Sequence, residues 1–157
     1  MNLMNLVFDP KKHSIFTPIN KDKYRGDVFP VVRSSWEDKF YKWCDMNPHI
    51  TSWVVEGLAI EYFDPVKKKN RRYYPDVLMA VKTNEAKDKI FLVEIKPYKE
   101  IVPPIVSPKK KEKTMLRESV TYRTNMAKWK AAELYCRKRN WEFKILSEKD
   151  LFKDGKA

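Results

Sequence analysis

The chain has 157 residues, 43% hydrophobic and 13% aromatic, enough for one domain to bury a core without disulfides and too apolar for wholesale disorder. Thirty-three Lys and Arg against 21 Asp and Glu leave a formal net charge of +12, which points beyond solubility to a polyanionic partner, nucleic acid first. No apolar run approaches the roughly 18 residues of a membrane span, and MNLMNLVF lacks the flank and cleavage site of a secretory signal, so a protein that is neither membrane-bound nor secreted is expected.

In chain order, residues 1–30 hold Pro10, Pro18 and Pro30 with little periodicity, which predicts an irregular, Lys-rich arm. SSWEDKFYKWCDMNP then supplies a Ser N-cap, Trp36, Phe40, Trp43 and Cys44 at helical spacing, and a stop at Asn47-Pro48. That is a short amphipathic helix. Residues 52–63 (SWVVEGLAIEYF) read as a strand with a bulge at Gly57, residues 71–81 as a second, and residues 89–96 as a third, together an antiparallel meander. KPYKEIVPPIVSPKKKEK, with four prolines and six lysines, predicts a basic surface loop over about 97–113. A helix over about 114–140 follows, with Leu116, Val120, Ala127, Ala131, Leu134 and Tyr135 on its apolar side and room for a break near Asn125. Trp141, Phe143 and Ile145 alternate with Glu142 and Lys144 as a fourth strand, after which Ser147 can cap a last turn. The order is that of a single α+β domain over 1–157: a small mixed sheet, three meander strands plus a later one, flanked by helices. Cys44 and Cys136 read as free buried thiols of a reducing compartment.

The charges inside strand-like runs carry the chemistry. Side chains alternate along a strand, so Glu94 and Lys96 share one face and Ile95 takes the other. Asp76, eighteen residues before Glu94, can reach the same sheet end from the preceding strand. Convergent carboxylate oxygens suit Mg²⁺, with Mn²⁺ able to substitute, and an ammonium beside them suits a phosphodiester under attack. Glu-x-Lys also occurs at Glu37-Lys39, Glu85-Lys87 and Glu142-Lys144, but only Glu94-Lys96 follows an apolar strand and has the sole Pro-Asp dipeptide one hairpin upstream. The ordinary alternative is a cross-strand ion pair at a sheet end.

Pro75-Asp76 with Glu94-Ile95-Lys96 resembles the PD-(D/E)xK nuclease superfamily of restriction, repair and transposition endonucleases. Across nearly the whole chain, RSSWEDKFYKWCDMNP, RRYYPDVLM, VEIKP, the PP…PKKK loop and TYRTNMAKWKAAELYC are similar to the head completion nucleases of contractile-tailed, T-even-like bacteriophages. The resemblance implies a restriction-endonuclease-like core and a Mg²⁺-dependent DNA endonuclease, with some exonuclease action allowed. It also implies work late in head assembly in the host cytoplasm, beside head and neck proteins. Carried over by residue, Asp76 and Glu94 become metal ligands, Lys96 the catalytic lysine, and Glu37 on the first helix the third acid, with Glu56 and Glu61 as alternatives.

Lys67, Lys68, Lys69, Arg71, Arg72, Lys109, Lys110 and Lys111 lie in segments expected to flank the carboxylates, and read as contacts to duplex phosphates that carry little sequence preference. Lys128, Lys130 and Tyr122 could face DNA or solvent, the five tryptophans read as core, and His13 and His49 have no partners for a metal site. Two rival readings stay open: a non-catalytic joining protein that binds DNA or the portal, and a transposition or repair endonuclease.

Overall fold

Residues 12–152 are described by the structure, a computed structural model, so Pro10 and the first eleven residues of the expected arm lie outside it. The rest of the arm is tied to the body. Strand β1 (Ser14–Ile15) pairs antiparallel with β2 (Val31–Val32), and Phe16 and Tyr24 between them enter the core. Buried Asp45 accepts the backbone N–H groups of Ile19 at 2.8 Å and Asn20 at 3.0 Å. Lys23 Nζ donates to the carbonyls of Cys44, Asp45 and Asn47 at 3.0, 2.7 and 2.8 Å. Those carbonyls belong to a helix C-terminus, which leaves such acceptors open and favours a cation.

That helix is α1 (Ser35–Met46), where expected, with Ser34 Oγ accepting the Glu37 N–H at 3.2 Å. Its buried stripe is Phe40, Tyr41, Cys44 and Asp45. Trp43 falls at the rim of that stripe, 45% exposed and stacked on Phe40, and so is not the core residue its spacing suggested.

The strand runs are more divided than their composition implied. Residues 52–63 split into β3 (Ile50–Val55) and β4 (Ile60–Asp64), and residues 71–81 into β5 (Lys69–Tyr73) and β6 (Val77–Val81). Strands β4 and β5 form their own hairpin, while β3, β6, β7 (Lys89–Ile95) and β8 (Glu142–Leu146) make a sheet in that order. It is antiparallel except for the parallel β7–β8 pair, the expected mixed sheet with an excursion inserted into the meander. The breaks have local causes. Pro75 has no N–H for a ladder, and Glu56 takes a left-handed φ of 50°. At Gly57, next in the chain, an added Cβ would stand 2.5 Å from Val54 Cγ1.

One sheet face packs Val77, Met79 and Val93 against Phe40, Tyr41 and Cys44 of α1 and Phe16 and Tyr24 of the arm. Its centre is Trp53, 1% exposed. The other face sets Leu92, with Ile60, Tyr62 and Tyr73 of the hairpin, against Trp129, Ala132 and Cys136 of α3 (Glu112–Arg137). Helix α3 runs unbroken through Asn125, which is buried with Nδ2 unpartnered. Leu116 and Leu134, expected on its apolar side, are 65% and 44% exposed, because the stripe that meets the sheet runs through Trp129, Ala132 and Cys136. The basic loop is shorter than expected and holds one helical turn, α2 (Tyr98–Ile101). After β8, Ser147 and Asp150 form a capping box on α4 (Glu148–Leu151). Of the five tryptophans read as core, only Trp53 and Trp129 are buried. Cys44 and Cys136 are free and buried. No helix among the described residues is long and apolar enough to cross a membrane.

Candidate active site

Alternation along β7 turns Val93 and Ile95 toward α1 and Leu92 toward α3, and Glu94 follows Leu92. Glu94 is buried, at 4% exposure. Tyr73, at the end of β5, donates its hydroxyl to Glu94 Oε2 at 2.7 Å. Lys96 Nζ stands 3.6 Å from the other oxygen, Oε1. The register of β6 on β7 sets Val77 opposite Val93 and so brings Asp76 level with Glu94. Asp76 Oδ2 accepts the Ile95 N–H at 2.6 Å, and its carbonyl accepts the Glu56 N–H at 2.9 Å.

Each carboxylate thus has one oxygen held by the protein and one turned elsewhere. Asp76 Oδ1 has no hydrogen bond among the described residues, and Glu94 Oε1 faces only the Lys96 ammonium. Burial and the neighbouring Glu94 push the Asp76 carboxyl up to about 8. Glu94 is also raised, by burial first, while Lys96 and the Tyr73 hydroxyl pull the other way. Two carboxylates that resist joint ionisation, one with Oδ1 free of hydrogen bonds among the described residues and the other with Oε1 held only by a partly exposed ammonium, are a donor set a hard divalent cation fits, since it relieves their repulsion and completes its shell with water.

Glu37 is not brought into this pair. Its Oε2 is taken by the Arg33 N–H at 2.6 Å, and it lies at the first turn of α1, on the other side of the sheet end from α3. Its charge still reaches the site, since it helps raise Asp76, Tyr41 and Glu56. Glu56 faces Arg33 Nη1 at 3.4 Å, and burial raises its carboxyl. Glu61 is exposed on β4 opposite Arg72. Among the described residues no three His, Cys, Asp or Glu side chains converge into a closed metal cage. The geometry is that of two carboxylates and a lysine, with a second acidic pair alongside.

The basic residues fall into two groups. Lys67 and Lys68 sit at the exposed turn between β4 and β5, with Lys69, Arg71 and Arg72 on β5, and Arg71 reaches the buried Asp64 at 3.2 Å. Lys109, Lys110 and Lys111 precede α3. Lys110 is already engaged, donating to Glu118 at 2.8 Å and to the Ile105 carbonyl at 3.0 Å. Lys130 is exposed, Tyr122 lines a cleft beside Pro97, and His49 is exposed after α1. One residue at the site escaped the sequence reading, Tyr73, whose signal was its place three residues before Asp76. Of Lys128, Lys130 and Tyr122, weighed from the sequence for contact with DNA, it is the half-buried Lys128 whose ammonium lies 5.7 Å from the Tyr73 ring centre.

Residues 47–148 match the family described as TnsA-like endonuclease N terminal, an interval holding Asp76, Glu94, Lys96 and Lys128 but not Glu37. The head completion nuclease of Enterobacteria phage T4 is 38% identical over 140 residues, which cover 87% of this chain and 91% of that protein. No solved structure gives a significant match. The chain therefore belongs to the TnsA-like endonuclease family and, within it, to the phage head completion nucleases.

Proposed function

We propose that this nuclease is a Mg²⁺-dependent DNA endonuclease that hydrolyses phosphodiesters in packaged double-stranded DNA during head completion, with Mn²⁺ able to replace Mg²⁺. The single observation that carries the chemistry is the Asp76–Glu94 pair at one sheet end, with Asp76 Oδ1 free of hydrogen bonds among the described residues and Glu94 Oε1 facing the Lys96 ammonium. The setting in head completion rests on the likeness to the T4 protein, and so do a host-cytoplasmic site of action and contact with head or neck proteins.

Asp76 and Glu94 would hold the cation, which when bound supplies Lewis acidity toward the phosphodiester and a lower pKa for a nearby water. Asp76 is aimed by the Ile95 N–H and Glu94 by the Tyr73 hydroxyl, so neither carboxylate has to find its place when substrate arrives. Lys96 has its Nζ beside Glu94 Oε1, where it can neutralise charge that grows on the phosphoryl oxygens in the transition state. Glu37 adds negative charge at the same sheet end and is the third acid by proposal. Lys67, Lys68, Lys69, Arg71, Arg72, Lys109, Lys110 and Lys111 would hold the duplex by its phosphates, which gives weak sequence preference and affinity that falls steeply with salt.

The test is relaxation of supercoiled plasmid by purified protein in Mg²⁺ or in EDTA, beside Glu94→Gln and Lys96→Met. Nicking that needs Mg²⁺ and falls at least about 100-fold in both variants is expected, as for loss of a group that stabilises transition-state charge. Cleavage that survives EDTA, or is unchanged in both variants, overturns the assignment.

A further inference from the structure

Helix α3 packs on β4 and crosses the same sheet face that holds Glu94. From it Lys128 reaches over two tyrosines of the hairpin, its Nζ 5.8 Å from the Tyr62 ring centre and 5.7 Å from that of Tyr73. Tyr73 is the residue that hands its hydroxyl to Glu94, so the ammonium stands over the support of the catalytic carboxylate. Lys128 lies close enough to Lys96, Glu94, Arg71 and Asp64 for their charges to act on it. Unlike Arg71, which has Asp64, and Lys96, which faces Glu94, Lys128 makes no ion pair among the described residues.

A half-buried ammonium without an anion is costly to keep, and two ring faces offset that cost only in part. Its surroundings fit an anion supplied from outside: aromatic walls, and the cations Lys96 and Arg71, whose own carboxylates Glu94 and Asp64 are already engaged with them. We infer that Lys128 is a substrate-positioning residue that takes the non-bridging oxygens of a backbone phosphate next to the one being cut and so holds the strand at Glu94 and Lys96. The inference rests on the nuclease reading above.

Two measurements test it. Binding to a short fluorescent duplex is followed by anisotropy in EDTA over a range of KCl, where no cutting occurs. One lost phosphate contact should lower the slope of log affinity against log salt by about 0.9. Lys128→Met keeps the methylene stem over the rings and should show that drop, with affinity about tenfold weaker. Lys128→Arg should restore the slope, and Lys130→Met, on the exposed side of the same helix, should keep it. In multiple-turnover cleavage the loss in Lys128→Met should fall on KM more than on kcat. An unchanged slope in Lys128→Met, or a drop that Lys130→Met matches, overturns the inference. So does a drop that Lys128→Arg fails to restore. A wild type that binds but never cuts would refute the nuclease reading instead, and the binding measurement still decides on Lys128.

Discussion

Replacing Asp76 with Asn should make the protein more stable while abolishing its cleavage, and the gain should grow with pH. Burial and Glu94 raise the folded-state pKa of Asp76 from the ordinary 3.8 to about 8. Below pH 3.8 both folded and unfolded chains carry the proton and the site costs nothing. Between the two values the unfolded chain is ionised while the folded chain must stay protonated or bear the repulsion, so stability falls as pH rises, and the penalty is complete above about 8. At about 1.4 kcal/mol per unit the full gap is roughly 5–6 kcal/mol, of which local relaxation should leave about 2–4 to be measured. An Asn side chain removes the charge and keeps a carbonyl oxygen for the Ile95 N–H, now accepted at 2.6 Å. Urea unfolding of both proteins in EDTA at pH 5 and pH 8.5 should show a gain several times larger at the higher pH. Adding Mg²⁺ should raise the wild-type midpoint and leave Asp76→Asn unmoved. An Asn variant that is no more stable than wild type at pH 8.5, or a gain that does not vary with pH, would refute the reasoning.

Removing the Tyr73 hydroxyl with Tyr73→Phe deletes an O–H that favours ionised Glu94, so the Glu94 carboxyl should rise further. The acidic limb of the pH–rate profile should move to higher pH, with cleavage lost first on the acid side and an unchanged limb counting against the role of the hydroxyl. Asp45→Ala leaves the Ile19 and Asn20 N–H groups without their acceptor and should cost about 2–3 kcal/mol. In that variant, limited proteolysis should cut within residues 14–32 well before it cuts the sheet.

The meeting of Asp76, Glu94 and Lys96 at one sheet end was legible in the sequence because it depends on short-range rules. Period-two alternation put Glu94 and Lys96 on one face, and a hairpin-length separation brought Asp76 beside them. What was missed depends on contacts distant in sequence. The β4–β5 excursion hides in β-branched and aromatic runs whose breaks, at Glu56-Gly57 and Pro75, look like strand interior until the chain is seen to leave the sheet. Asp45 and Lys23 bind across more than twenty residues, so the arm seemed without a course. The Ser34 cap predicted where Glu37 would begin its helix, but not that Arg33 would occupy its carboxylate. Lys128 sits on a helix with basic residues on several sides, and only the position of Tyr62 and Tyr73 shows which of them reaches the site.

The central claim is that Asp76 and Glu94 together hold the divalent cation. Titration of the purified protein with Mn²⁺, read by electron paramagnetic resonance of the free ion, measures that occupancy without any substrate. Wild type should bind, Asp76→Asn and Glu94→Gln should each lose at least about tenfold in affinity, and Glu37→Gln should lose less. Affinities unchanged in both Asp76→Asn and Glu94→Gln would contradict the account.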